Sequence, residues 1–283
     1  MAGNLYVVGT PIGNLGDFSP RARETLEMVD LIAAEDTRVS LKLLNHFEIK
    51  KPMISYHEHN IREKGEIILS KIEEGQNVAI VTDAGMPCIS DPGEDLVRLC
   101  AERGVKTFVV PGPTAAMSAL AVSGLNPTRF SFEGFLTVRK GGRLELLNKI
   151  KTDDRTLIFY EAPHKLLRTL KDLLQIFGDR RLAICREITK IHEEVIRTTL
   201  SEAVKFYKDN LPKGEFVLIV EGYEAPKTDE EISLDDAVSY ALRLKSEGLP
   251  LSVASKKSAS EFGFHKSEIY SLALEREEAE GEE

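Results

Sequence analysis

The sequence predicts an α/β protein built as two α/β domains in tandem, followed by a small helical unit. Three observations lead there. In the first part of the chain, short apolar runs alternate with amphipathic stretches, the grammar of βα units and a mostly parallel sheet. In the second part, strand-like runs follow one another with fewer helices between them, which fits a mixed sheet. Beyond residue 233 the pattern is helical. The expected boundaries are 1–114 and 115–224 for the two α/β domains, 225–233 for a linker, 234–275 for a helix-turn-helix-like unit and 276–283 for an acidic tail.

LYVVG (5–9) reads as a buried strand, after which Ser19-Pro20 offers an N-cap with proline at the first helical position. LIAAE (31–35), MISY (53–56), NVAIVTD (77–83) and VKTFVV (105–110) read as four further strands. Asn60 can open a helix that Gly75 closes, and residues 93–104 form a helix ending in glycine. TLIFYEA (156–162) begins the second domain's strands, and the next helix puts Leu166, Leu167, Leu170, Leu173, Leu174 and Phe177 on one face. RLAICREIT (181–189), VIRTTL (195–200) and EFVLIVEGY (215–223) complete the strands. EAPKTDEEIS (224–233) is a polar linker, Ser233 caps the first terminal helix, and the terminal helices fit either a helix-turn-helix unit or a helical cap.

Composition narrows the function. With 42% hydrophobic and 29% charged residues in 283, chain-wide disorder is excluded. No apolar run approaches the ~18–20 residues of a membrane span. The N-terminus lacks the basic and apolar regions of a secretory signal, so a cytoplasmic enzyme is expected. Cys88, Cys100 and Cys185 are too scattered for a disulfide framework or a CxxC metal site. The net charge is −9, of which Glu275–Glu283 carries −5, so a general polyanion coat is disfavoured. A local basic patch remains at Arg139, Lys140, Arg143, Lys149 and Lys151.

The loops after the strands carry the chemistry. GTPIGNLGD (9–17) has neither the GxGxxG spacing nor a Walker lysine, and Pro11 removes a donor, so it is no diphosphate cradle. Thr82–Gly93 is long, rich in glycine and proline, and holds two carboxylates directly after a strand, which marks it as functional. PGPTAA (111–116) is its small-residue counterpart, where backbone can approach a ligand. EDTR (35–38) and YHEHN (56–60) supply polar side chains at strand ends. Binding a metal at His57 and His59 needs a third ligand the sequence does not indicate, so no metal is expected. YEAPH, CREITK and KGEF flank the later strands and, with the first loops, suggest a cleft between two domains.

GTPIGNLGD, EDTR, YHEHN, VTDAGMPCISDPG, PGPTAAMSAL, FEGF, FYEAPH and KGEFVLIVEG occur in this order over residues 4–223. With them the chain resembles the small-subunit ribosomal RNA methyltransferase branch of the tetrapyrrole methylase-like superfamily. It departs from that pattern in GFLTVRKGGR, which lacks a proline after Leu136. The resemblance implies the class III methyltransferase fold, S-adenosylmethionine bound between the domains, and a homodimer. It also implies 2′-O-methylation of a cytidine in the decoding region of 16S rRNA, as free RNA or in the assembled small subunit. By resemblance the cofactor residues are Pro11, Asp83, Ala84, Gly85, Ser90, Thr114, Ala115, Tyr160, Glu187 and Glu215. Glu133, Glu187 and Lys190 are the candidates for chemistry; a carboxylate would take the proton, and Lys190 would stabilise an alkoxide or grip phosphate. Arg38, His57, His59, Arg139, Lys140 and Arg143 are the candidates for RNA contact. A tetrapyrrole methyltransferase and a non-catalytic RNA-binding assembly factor are the alternatives.

Overall fold

In the computed structural model, which describes residues 2–225 and 233–280, the chain divides into a unit Met1–Tyr223 and a unit Glu224–Glu283. The first unit opens with β1 (Leu5–Val8), β2 (Leu31–Ala34), β3 (Met53–Ser55), β4 (Val78–Val81) and β5 (Thr107–Val110). They form one all-parallel sheet in the order β3-β2-β4-β1-β5. LIAA and VAIV are apolar throughout because β2 and β4 are interior strands, buried at every residue. The helices are α1 (Pro20–Met28), α2 (Thr37–His46), α3 (Ile61–Glu73) and α4 (Glu94–Glu102). Ser19 caps α1 through its side-chain oxygen, which accepts from the Ala22 N–H at 3.1 Å, and Pro20 fills the first position. Asn60 opens α3 without capping it; its Oδ1 accepts from the His57 N–H at 2.9 Å instead.

The second sheet comprises β6 (Phe130–Phe135), β7 (Thr156–Glu161), β8 (Arg181–Arg186), β9 (Glu194–Thr199) and β10 (Phe216–Val220), in the order β6-β7-β10-β8-β9. Only β6 and β7 run parallel; the other pairs are antiparallel. β6 was not expected from the sequence. It is an edge strand with a register shift between Phe132 and Gly134, and Gly134 has φ +61°, so its strand pattern is broken by the bulge. α5 (Ala115–Ser123) follows the last strand of the first sheet and packs Ala116, Ala119 and Leu120 on Ile158, Ala183 and Val217 of the second. α6 (Lys140–Ile150), α7 (Leu166–Phe177) and α8 (Leu200–Asp209) cover its other face. The leucine stripe of α7 lies where its periodicity puts it, with Leu166, Leu170 and Leu173 fully buried.

The second unit is α9 (Leu234–Ser246), α10 (Leu251–Phe262) and α11 (Lys266–Glu280), around Val238, Ala241, Ala254, Ile269 and Ala273. Ser233 and Asp236 form a reciprocal capping box at the start of α9. α11 continues to Glu280, five residues past the expected end of the helical unit at 275. Arg276 pairs with Asp235 and Lys245 with Glu277, which ties the end of α11 back to α9. Most of the expected linker, residues 226–232, and residues 281–283 lie outside the described residues. Among the described residues no helix is long and apolar enough to cross a membrane.

Candidate active site

In an open parallel sheet ligands bind at the carboxyl ends of strands, where the chain order reverses. Here β1 and β4 are neighbours at the centre, and the loops that leave them meet: Thr10 and Gly85 exchange backbone hydrogen bonds of 2.8 and 3.1 Å. The loop after β5 joins them through glycines. A Cβ on Gly9 would lie 2.7 Å from the Gly112 backbone, so the two loops touch main chain to main chain. The loop after β4 is strained as well as long: Cys88 and Ser90 have φ of +71° and +67°. Glu187 and Thr189, after β8, have φ of +52° and +68°. Strained non-glycine backbone of this kind concentrates at functional sites.

These loops and the second sheet enclose a cavity of about 590 Å³. Its apolar walls include Ile12, Met86, Ile89, Phe135, Tyr160 and Val217, and its carboxylates are Glu35, Asp83, Asp91, Glu161 and Glu215. Among the described residues no lysine or arginine lines it. Glu35 Oε2 accepts from Thr82 Oγ1 at 2.6 Å, and Asp83 Oδ1 accepts from the Asp36 N–H at 3.1 Å. Burial, then the charge of Glu35, pushes the Asp83 pKa up. The same two causes push Asp91 up to about 6, against a hydrogen bond from Thr82. The Tyr160 hydroxyl accepts from the Ala116 N–H at 3.1 Å, and its ring stands edge-on to Phe135 at 5.4 Å.

Eight of the ten sequence-assigned cofactor residues line this cavity: Asp83, Ala84, Gly85, Ser90, Thr114, Ala115, Tyr160 and Glu215. Pro11 lines an adjoining cavity of about 460 Å³, together with Lys190. Glu187 lines neither, but holds Lys190. Lys190 Nζ donates to Glu187 Oε1 at 2.9 Å and to Glu215 Oε2 at 2.7 Å, and the Glu215 N–H donates to Glu187 Oε1 at 2.9 Å. Gly214, at φ +88°, makes room for this carboxylate, because a Cβ there would sit 2.6 Å from Glu187 Cγ. Lys190 holds the Glu187 pKa down. Burial acts to lower the Lys190 pKa, but its hydrogen bonds to Glu215 and Glu187 outweigh it and raise the value.

Glu133 stands apart from the cavity, and the expectation for Arg143 is corrected. Glu133 does not line the cavity; on the bulged edge strand β6 its carboxylate accepts from Ser131 Oγ at 2.5 Å. Arg143 is not on an RNA-facing surface but only 2% exposed. It pairs with Asp172 on α7 at 2.7 Å and donates to the carbonyls of Thr137 and Val138. Arg139 and Lys140 are exposed, Arg38 is exposed and paired with Asp36 at 2.6 Å, and the His57 and His59 rings lie 5.8 Å apart. Glu35 and Asp91 were not among the assigned site residues, although both stand in loops that the sequence marked as carrying chemistry. Glu35 stands directly after β2, whereas Asp91 lies ten positions beyond β4 at the far end of its loop.

Residues 4–204 match the family model of the tetrapyrrole (corrin/porphyrin) methylases. The chain belongs to the tetrapyrrole methylase family. A relative from Synechocystis named ribosomal RNA small subunit methyltransferase I is 48% identical over 279 residues, 97% of this chain and 99% of the relative. One of the same name from Thermotoga maritima is 49% identical over 222 residues, 78% of this chain and all of the relative. The crystal structure of a uroporphyrin-III-C-methyltransferase from Thermus thermophilus matches with a TM-score of 0.55 at 20% identity, covering 77% of this chain and 94% of that one. That likeness extends the tetrapyrrole methylase assignment to the fold.

Proposed function

We propose that this methylase transfers a methyl group from S-adenosylmethionine to the ribose 2′-oxygen of a cytidine in the decoding region of small-subunit ribosomal RNA. The observation that carries the donor is the charge of the larger cavity: five carboxylates and, among the described residues, no lysine or arginine on a wall otherwise largely apolar. A sulfonium is a cation without phosphate, and such a wall attracts it while offering nothing to a diphosphate. The volume of about 590 Å³ is in the range of small-molecule sites. The donor, when bound, supplies the reactive methyl group.

The chain's own residues orient and neutralise. Asp83, on the cavity wall, receives hydroxyl or amino donors. The Tyr160 and Phe135 rings offer a flat base a face to rest on. Lys190, held charged between Glu187 and Glu215, stabilises a developing alkoxide or grips phosphate. The lowered pKa of Glu187 suits it to holding Lys190 rather than to accepting a proton. Exposed Arg139 and Lys140 with Arg38, His57 and His59 serve RNA contact, and the phosphate contacts set register and salt dependence.

The RNA reading is preferred to a tetrapyrrole because the relatives that match nearly the whole chain carry the ribosomal RNA name, whereas the uroporphyrin enzyme shares the fold at 20% identity. A cytoplasmic homodimer acting on rRNA or the small subunit completes the proposal. Edge strand β5, which exposes Phe108 and Val109, is a surface compatible with self-association. Calorimetric titration tests the donor: S-adenosylmethionine should bind, and Asp83→Ala should weaken it tenfold or more. Equal affinity in wild type and variant would remove the cavity from the reading.

A further inference from the structure

A transferred methyl carbon and its acceptor oxygen must come within about 3–3.5 Å of each other, so the acceptor site must share a wall with the donor site. The 460 Å³ cavity does so through Ile12, Asp83, Ala84 and Glu215, which line both. A third polar cavity, lined by residues 58–63 with Asp95 and Arg98, shares no wall with either.

One face of α2 forms a side of the 460 Å³ cavity with Val39, Ser40, Lys42, Leu43 and His46, and the loop Thr10–Gly13 forms another. Unlike the donor cavity it is lined by lysines, Lys42 and Lys190, with His46, beside the shared carboxylates Asp83 and Glu215. Ser40 adds a second observation. It is 4% exposed, its hydroxyl has no hydrogen-bond partner among the described residues, and it belongs to the cavity wall. A buried hydroxyl left unpaired is costly, and this one belongs to a residue of the cavity wall.

We propose that this cavity is the acceptor subsite, taking one unstacked nucleotide of single-stranded RNA. Its ribose lies against the shared wall, its phosphate lies toward Lys42, and Ser40 contacts the ribose-phosphate chain. The subsite rests on the RNA methyltransferase reading above. A nucleotide inside a helix cannot enter a cavity of this size, so the target is presented from a loop or flipped out of its stack.

Two variants test it. Val39→Trp, from a position at the cavity and 37% exposed, fills the space, and Lys42→Ala removes an exposed charge. Three quantities are measured for each: S-adenosylmethionine affinity by calorimetry, affinity for unmodified small ribosomal subunits across a salt series, and methyl transfer to their RNA. Donor affinity should stay within about twofold of wild type. Val39→Trp should lose methyl transfer about a hundredfold. Lys42→Ala should bind subunits about fivefold more weakly, with a salt slope shallower by about one. Wild-type binding and transfer in both variants would overturn the subsite and leave the functional reading standing. Parallel loss of donor affinity in Val39→Trp would also overturn it, assigning the space to the donor. A wild-type enzyme that binds donor but neither binds nor methylates small subunits would refute the functional reading, and the subsite with it.

Discussion

Asp91 and Arg143 show how environment decides what a charged residue does. Asp91 shares its cavity with Glu35 and Asp83, and burial with their charges raises its pKa to about 6. Folding therefore tightens its hold on a proton. The stability that this proton lends the native state is full in acid and is lost as pH rises through about 6. Binding of a cationic donor runs the other way, because it favours the ionised carboxylate. S-adenosylmethionine affinity should rise with pH across 5 to 7 in the wild type and stay flat in Asp91→Asn, measured by calorimetry at each pH; parallel profiles would remove Asp91 from the site. Arg143 is a structural cation. Replacing it by alanine leaves Asp172 buried without its partner, which should cost about 3–5 kcal/mol in denaturant unfolding, while Lys140→Ala should leave stability unchanged. The sequence placed Arg143 in a basic run beside glycines, which reads as surface. Its burial depends on Asp172, which lies 29 positions away on another helix.

At the scale of elements, the site is made by loops that converge because small residues let them. Gly112→Ala would put a Cβ 2.8 Å from Gly9 Cα. Overpacking of this kind should destabilise the protein by about 1–3 kcal/mol, and the spread of the two loops should weaken donor binding tenfold or more. A melting curve and a titration on the same sample check both; an unchanged melting temperature would contradict the contact. The central strands were legible because LYVV and VAIV are continuous apolar runs, and α1 because Ser19-Pro20 is an explicit start signal. β6 was illegible because a bulge at Gly134 interrupts its period. The acceptor face of α2 was also hidden. Its residues recur at helical spacing, but nothing in the sequence says that the face opposes Lys190, 144 positions after His46.

For the molecule as a whole, the unit Met1–Tyr223 contains both sheets and both cavities, and the Thermotoga relative is matched over its full length by 222 residues. A chain ending after Tyr223 should therefore melt cooperatively and bind S-adenosylmethionine with near-native affinity; a non-cooperative melt would show that the sheets need the helical unit. The order of the motifs was readable along the chain, whereas the division into donor and acceptor spaces emerges only when the two sheets are brought together. The most direct test of the function is to incubate the purified protein with S-adenosylmethionine and unmodified small ribosomal subunits, then digest the RNA to nucleosides for mass spectrometry. One new 2′-O-methylcytidine per subunit is the predicted result. Donor binding without any methylated ribose, or methylation of a porphyrinoid in its place, would contradict it.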